Sequence, residues 1–250
     1  MKKQHIALFA VLFAFFVSFA FMPHAYAAAK ETKALFDLSG KGSMNESVQL
    51  FLMVTLLSLS SSIVLMFTQF TYFVIVLGMT RQGLGVTNLP PNQVLVGLAL
   101  FLALFTMQPV ISDLKTDVWD PMQAGKLQAT DIVERSAPIL KEYMAKHTYE
   151  HDLKMMLKVR DEEVPNKPEK VSMLTMVPAF TLTQIQKGIL TGMFIYLAFV
   201  FIDLIVSTFL MYLGMMMLPP MVISLPFKIL IFVYIGGYTK IVDIMFKTVS

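Results

Sequence analysis

The chain has 250 residues, of which 56% are hydrophobic and 15% are charged, and its mean hydropathy is +0.67. This composition is typical of proteins that cross a membrane several times and lies outside the usual range of soluble domains. The absence of cysteine excludes disulfides, thiolate metal sites and thiol catalysis, and the small net charge of +3 offers no basic tract for nucleic acid.

Residues 1–27 have the organisation of a secretory signal peptide. Two lysines precede an uncharged apolar stretch of 17 residues, and a small-x-small motif ends at Ala27. The pattern predicts cleavage before Ala28, which places the mature N-terminal segment, residues 28–46, outside the cytoplasm. The alternative is an uncleaved first membrane helix, because the apolar stretch is long for a signal and short for a span.

The first apolar run, residues 47–80, contains no charged residue. Since about 20 residues cross a bilayer, the run predicts one long tilted helix or two pieces broken near residues 58–62. Four polar side chains share one helical face of this run: Thr55, Ser58, Ser62 and Gln69. Such a face can bond to a neighbouring helix in lipid, or its hydroxyls can bond to their own backbone.

Further apolar runs follow at residues 94–111, 187–213 and 221–236. Residues 112–180 separate them and hold 10 basic and 12 acidic residues, out of 37 charged residues in the chain. The predicted fold is therefore an all-α integral membrane protein with about four apolar helical runs and a charged helical extracytoplasmic insertion. Its predicted parts are a first hydrophobic pair, a periplasmic domain and a second hairpin with the C-terminal tail: residues 47–111, 112–186 and 187–250.

The charged domain shows helical periodicity. A helix is predicted to start near Asp131, with an acid at its third position. Apolar residues then recur at helical spacing: Ile139, Leu140, Tyr143, Met144, Leu153, Met156 and Leu157. The spacing predicts helices that pack one face and leave the charged face in water.

One motif in this domain resembles a zinc-hydrolase pattern. His147, Glu150 and His151 match H-x-x-E-H, in which two histidines on one helical face bind zinc and the glutamate acts as a base. No third ligand is evident, so a solvated helix face is the favoured interpretation. No metal, no cofactor and no enzyme activity are predicted, because nucleophile-elbow and phosphate-loop patterns are also missing from the sequence.

Asp203 and Lys228 are the most informative pair. Both lie inside apolar runs, on either side of a turn at residues 214–220, and a helical rise of about 1.5 Å per residue puts each roughly 12–17 Å from that turn. An ionisable side chain at mid-membrane costs at least about 2.5 kcal/mol, so it needs a partner or a water-filled path. The pair predicts helix registration and assembly; a proton relay is less favoured, because a single pair gives no pathway.

The turn itself carries Met215, Met216 and Met217. Consecutive methionines on a turn cannot all pack into one interface, and their flexible thioethers adapt to irregular surfaces. Several copies around an axis would form a deformable gasket; the alternative is apolar filler in a chain with 20 methionines. The residues predicted to shape this loop are Gly214, Pro219 and Pro220.

Several stretches resemble the FliP family of flagellar export-gate proteins. They are LPPNQVLVGLALFL at residues 89–102, VPAF at 177–180, and the segment from FIDL at 201–204 through GMMMLPP at 214–220 to SLPFK at 224–228. The last block is long and specific. Gln184 departs from the family, in which a glutamate is common at this position, and Ala198 stands where a proline is common.

The resemblance implies a pore subunit of the type III export gate in the bacterial inner membrane, within the flagellar basal body. It implies a homo-oligomer with FliQ-like and FliR-like subunits, FlhA-like and FlhB-like partners, membrane lipid contacts and unfolded flagellar substrates. It also implies that residues 215–217 are the gasket and that Asp203 and Lys228 are the family's intramembrane charges. An injectisome homologue is the alternative, although residues 1–45 favour the flagellar branch; a small-ion transporter is less favoured, because no inverted repeat is present.

Overall fold

The computed structural model describes residues 65–86, 88–125, 129–162, 165, 170–215 and 219–249. Regular secondary structure in these residues is entirely helical, which confirms the all-α prediction for this part of the chain. The helices are α1 (Phe70–Leu84), α2 (Asn92–Thr106), α3 (Gln108–Leu114), a π-helical turn (Lys115–Trp119), α4 (Asp120–Gln123), α5 (Ala129–Lys146), α6 (Glu150–Val159), α7 (Met173–Tyr212), α8 (Pro220–Tyr234) and α9 (Gly237–Val249).

The predicted signal peptide, its cleavage site at Ala27 and Ala28, and most of the first apolar run lie outside the described residues. Of the polar face predicted in that run, only Gln69 is described. It is completely buried, and neither atom of its amide has a hydrogen-bond partner within the described residues. The predicted bond between this face and a neighbouring helix therefore stays a prediction.

Helices α1 and α7 lie side by side and run in the same direction. Gly188 faces Ile75, and one turn later Gly192 faces Met79. A Cβ added at Gly192 would lie 2.6 Å from the Met79 sulfur and 3.0 Å from the Met79 Cβ, so a larger residue would force Met79 to move. The spacing of the two glycines, four residues apart, allows the close packing of membrane helices.

Two hydrophobic clusters hold the described part together. The first joins α1, α2, α7, α8 and α9, and its largest fully buried members are Tyr72, Phe73 and Leu77. The second joins α3, α5 and α6 to the first turns of α7, and it includes Tyr143, Met144 and Leu157. The helical periodicity predicted for the charged domain is thus confirmed, because the apolar residues at that spacing form this buried face.

Helix α7 has 40 residues and is about 60 Å long. It is the one described helix that is long and apolar enough to cross a membrane by itself. Helix α2 with its continuation from Gln108 to Gln123, and α8 with α9, form pairs bent by 58° and 65°; counting each pair as one span gives up to three spans in the described residues.

Two boundaries differ from the sequence prediction. Helix α7 begins at Met173, 14 residues before the predicted third run, because residues 173–186 carry no charge and continue the helix. The second apolar run is not a single helix: α2 ends at Thr106, and α3 begins at Gln108 with a proline in its first turn. A proline lacks the amide hydrogen that a continuing helix would use, so this position favours a new helix start.

Candidate functional site: a buried ion pair beside an apolar turn

The structure brings Asp203 of α7 and Lys228 of α8 together. The Lys228 Nζ lies 2.6 Å from the Asp203 Oδ2. The lysine side chain is only 3% exposed, whereas the aspartate side chain is 24% exposed. Because a buried ammonium is costly without a counter-ion, the geometry makes Lys228 strongly dependent on this carboxylate.

Two further groups complete this ion-pair site. The Ser224 hydroxyl donates a hydrogen bond to the Asp203 Oδ1 at 2.5 Å, and the Lys228 ammonium donates a second bond to the Gly83 carbonyl at 2.9 Å. Gly83 lies in the last turn of α1, where carbonyl oxygens lack helical partners and the helix dipole favours a cation. Lys228 therefore connects α1, α7 and α8.

Sequence reasoning missed both of these groups. Ser224 could have been found, because it precedes Lys228 by four residues and so lies on the same face of a helix. The role of Gly83 could not be predicted from the sequence, because it contributes only a backbone carbonyl and lies 145 residues from Lys228.

The turn between α7 and α8 has well-defined ends. Gly214 has a φ of +74°, a left-handed conformation that favours glycine, and the Met215 amide donates to the Leu210 carbonyl at 3.0 Å. Pro219 is extended, and Pro220 occupies the first position of α8, where proline is well accommodated. Met215 is 43% exposed; Met216 and Met217 lie outside the described residues.

Large apolar side chains are exposed on both sides of this turn. They include Phe194, Phe201, Ile205, Phe209 and Tyr212 of α7, and Met221, Leu230 and Val233 of α8. Each of these side chains is more than half exposed. Soluble monomers rarely expose apolar surface on this scale, so the α7–α8 hairpin requires lipid or other protein around it.

The zinc pattern does not have the geometry that it needs. Helix α5 ends at Lys146 and α6 begins at Glu150, so His147 and His151 do not share a helix. Glu150 is exposed and pairs with Lys154, whose hydrogen bond lowers the pKa of the Glu150 carboxyl. No group of three potential metal-ligating side chains occurs in the described part of the chain.

His147 instead has a structural position. Its Nδ1 lies 2.8 Å from the Tyr143 carbonyl, so this nitrogen carries a proton and donates a hydrogen bond. Burial lowers the pKa of the imidazole, and the nearby charge of Lys187 lowers it further. The net lowering of this pKa favours the neutral form of the histidine at the end of α5.

The long apolar helix, the exposed hairpin and the enclosed ion pair define a helical membrane protein whose polar centre lies between three helices. The chain belongs to the FliP family, whose sequence profile matches residues 53–245. The resemblance drawn from the sequence motifs is therefore confirmed.

Three relatives illustrate the match, and each is named flagellar biosynthetic protein FliP. The protein from Bacillus subtilis (strain 168) is 36% identical over 214 residues, which cover 86% of this chain and 97% of the relative. The protein from Pectobacterium carotovorum subsp. carotovorum is 37% identical over 200 residues, covering 80% and 78%. The protein from Aquifex aeolicus (strain VF5) is 33% identical over 205 residues, covering 81% and 86%.

Proposed function

We propose that this chain is a pore-forming subunit of the flagellar type III protein export gate. In this role it passes unfolded flagellar subunits across the inner membrane. Membership of a family whose relatives are flagellar biosynthetic proteins supports a membrane component of the flagellar export apparatus. It acts there as a transport subunit rather than as an enzyme.

The observation that carries the pore role is the exposed apolar hairpin formed by α7 and α8. Its exposed side chains continue to the turn, where Tyr212 and Met221 are 88% and 66% exposed. Surface of this kind is suited to packing against further copies of the chain, with the turns gathered around a common axis. Residues 215–217 would then line the axis as a gasket that blocks small ions and yields to an unfolded chain.

Asp203 and Lys228 serve assembly in this proposal. A pair that is nearly enclosed on the lysine side fixes the register of α7 against α8, whereas its net contribution to stability is expected to be small. The pair thereby sets the shape that each copy presents to its neighbours. The partners proposed for this multi-pass subunit are further copies of itself, FliQ-like and FliR-like subunits, and FlhA-like and FlhB-like export proteins in the basal body.

The test is secretion in the host from which the chain comes, after deletion of its gene. Restoring the wild-type gene on a plasmid should restore filament assembly and the release of flagellar subunits into the medium. The control is an equal amount of a chain truncated after α7, which lacks the turn and α8. Normal secretion without the gene, or with the truncated chain, would contradict the proposal.

A small-ion or solute transporter would behave differently. It would catalyse uptake into vesicles that contain this chain alone, without any partner subunit. An injectisome homologue would secrete another set of proteins and leave filament assembly unaffected. Both alternatives are therefore outcomes that the secretion and vesicle assays distinguish.

A further inference from the structure

Helix α6 receives its N-terminal cap from another helix. Its N-cap residue, Tyr149, makes no side-chain cap, and Asp152 stands at the third helical position. In a capping box the acid at this position bonds directly to the N-cap amide. Here the Thr183 hydroxyl of α7 is inserted between them: it accepts a bond from the Tyr149 amide at 3.0 Å and donates one to the Asp152 Oδ2 at 2.5 Å.

Asp152 depends on donors from α7. Its side chain is almost completely buried, and a buried carboxylate is costly unless it is hydrogen-bonded. Gln186 donates to the Asp152 Oδ1 at 3.2 Å, and the exposed His151 ring lies at the same distance from that oxygen. Thr183 and Gln186 together place one donor on each carboxylate oxygen.

The same segment of α7 also holds the end of α5. The His147 carbonyl accepts bonds from the Gln184 amide at 3.2 Å and from the Lys187 ammonium at 3.3 Å. The Lys187 ammonium lies 4.9 Å from the centre of the Tyr149 ring, so it also has a cation–π contact. A cation beside the carbonyls at a helix C-terminus is favourable.

Four side chains of α7 therefore make hydrogen bonds to residues on both sides of the turn at residues 147–149. We call these side chains the turn clamp: Thr183, Gln184, Gln186 and Lys187. The turn clamp follows directly after the α7 residues of the second hydrophobic cluster. Its hydrogen bonds add directional contacts to the apolar packing of that cluster. Hydrogen bonds fix orientation, whereas apolar contacts alone tolerate sliding. The charged insertion is thus attached to α7 in one orientation.

We infer that Thr183 is a positioning residue of the export gate, which locks the charged insertion onto the helix that also carries Asp203. This inference rests on the proposed function. Asp203 lies 20 residues further along the same helix, about 30 Å from the clamp. A subunit with a loose clamp would present its charged insertion to neighbouring subunits in varying orientations, even though its ion pair is intact.

The experiment compares three variants in the full-length protein. Thr183→Val keeps the shape of the side chain and removes both hydrogen bonds, and Thr183→Ser restores the hydroxyl. Thr181→Val is the matched control on the same helix, because the Thr181 hydroxyl bonds back to the Val177 carbonyl of its own helix. The readouts are amide hydrogen exchange in residues 149–153, yield of the assembled complex, and secretion in the deletion strain.

Thr183→Val should speed exchange at the start of α6 about tenfold or more, since it leaves a buried carboxylate short of a donor. It should also lower complex yield and secretion, and Thr183→Ser should restore all three readouts. If Thr183→Val matches Thr181→Val in every readout, the inference is overturned. Faster exchange with normal complex yield and secretion would also overturn it, because Thr183 would then be a local cap only.

If the Thr183→Val protein does not accumulate in the membrane, a second variant can be compared with the control in its place. Gln186→Leu removes one donor from Asp152 and leaves the Thr183 bridge in place, so the same comparison can be made at a milder level. If the wild-type chain itself fails to restore secretion, the proposed function fails. The exchange comparison still reports on the clamp in that case, so the two failures are distinguishable.

Discussion

Lys228 makes an ion pair with Asp203 at 2.6 Å while its ammonium also donates to the C-terminal turn of α1. The lysine is therefore enclosed by one carboxylate and one carbonyl, and three helices meet at a single charge. Because the aspartate retains partial exposure, the two partners are not equivalent. Loss of the carboxylate leaves a buried cation, whereas loss of the lysine leaves a carboxylate that water can still reach.

Asp203→Ala should reduce the yield of assembled complex strongly. Removing one partner of a buried pair costs about 3–5 kcal/mol, and the partial exposure of Asp203 places the expected loss near the lower end. The measurement is complex yield after gentle solubilisation, together with the unfolding midpoint of the purified subunit. The double variant Asp203→Ala with Lys228→Met removes the orphaned charge and should recover much of the stability. A double variant as unstable as the single one would contradict this account of the pair.

Gly188→Ala should destabilise the contact between α1 and α7. A Cβ at this position would lie 3.1 Å from the Ile75 Cβ, an atom attached to the backbone that cannot rotate away. We expect a loss of about 1–3 kcal/mol, as in other overpacked interfaces. Gly78→Ala is the matched control in α1, because a Cβ there meets nothing within 4 Å and alanine favours helix. Equal unfolding midpoints for the two variants would argue against tight packing at Gly188.

Replacing Met215, Met216 and Met217 with alanine should increase ion leakage through the assembled complex. Alanine is too short to fill an irregular gap that the longer thioether chains close. The measurement is the membrane potential of cells that express the full set of partner subunits. Met155→Ala is the control, because Met155 is an exposed methionine of α6 and does not belong to the α7–α8 hairpin. Unchanged leakage together with lost assembly would show that these methionines pack the complex and do not seal it.

The charged insertion should lose stability as the pH falls below about 6.5, the ordinary pKa of a histidine. Burial lowers the pKa of His147 in the folded state, and the charges of Lys187 and Lys146 act in the same direction. The unfolded chain then binds a proton that the folded chain does not, so the free energy of unfolding decreases with falling pH until the lowered pKa is reached. At higher pH both states are neutral at this residue and the dependence vanishes.

His147→Asn tests this dependence, because asparagine cannot be protonated and retains a donor for the Tyr143 carbonyl. Unfolding midpoints of the solubilised protein between pH 7.5 and 5.5 should vary less in this variant than in the wild type. His151→Asn tests the other described histidine separately, because its exposed ring lies 3.2 Å from the Asp152 Oδ1. An equally steep pH dependence in His147→Asn and the wild type would mean that other groups cause it.

The parts of the fold that depend on local pattern could be predicted from the sequence. Apolar spacing predicted the helices of the charged domain, and Tyr143, Met144 and Leu157 are buried as that spacing requires. Similar distances from one turn predicted that Asp203 and Lys228 lie at nearly the same level. The helical rise and the residues within one or two elements are sufficient to predict both features.

The remaining features depend on partners that are distant along the chain. The Gly83 carbonyl and the Thr183 hydroxyl lie 145 and 31 residues from the groups that they contact, and no periodicity identifies such pairs. The H-x-x-E-H pattern failed for a related reason. The bond from the Tyr149 amide to Thr183 stabilises a helix start at Glu150, so a tertiary contact interrupts the helix that the spacing assumed.

Native mass spectrometry distinguishes a gate subunit from a chain that acts alone. The tagged chain would be expressed at its natural level in its own host and solubilised gently from the membrane. For a gate subunit we expect a large complex with several copies of this chain and two other small hydrophobic proteins, and a mature chain that begins at Ala28. A single chain or a simple dimer without those partners, under conditions in which secretion is active, would contradict the assignment as a gate subunit.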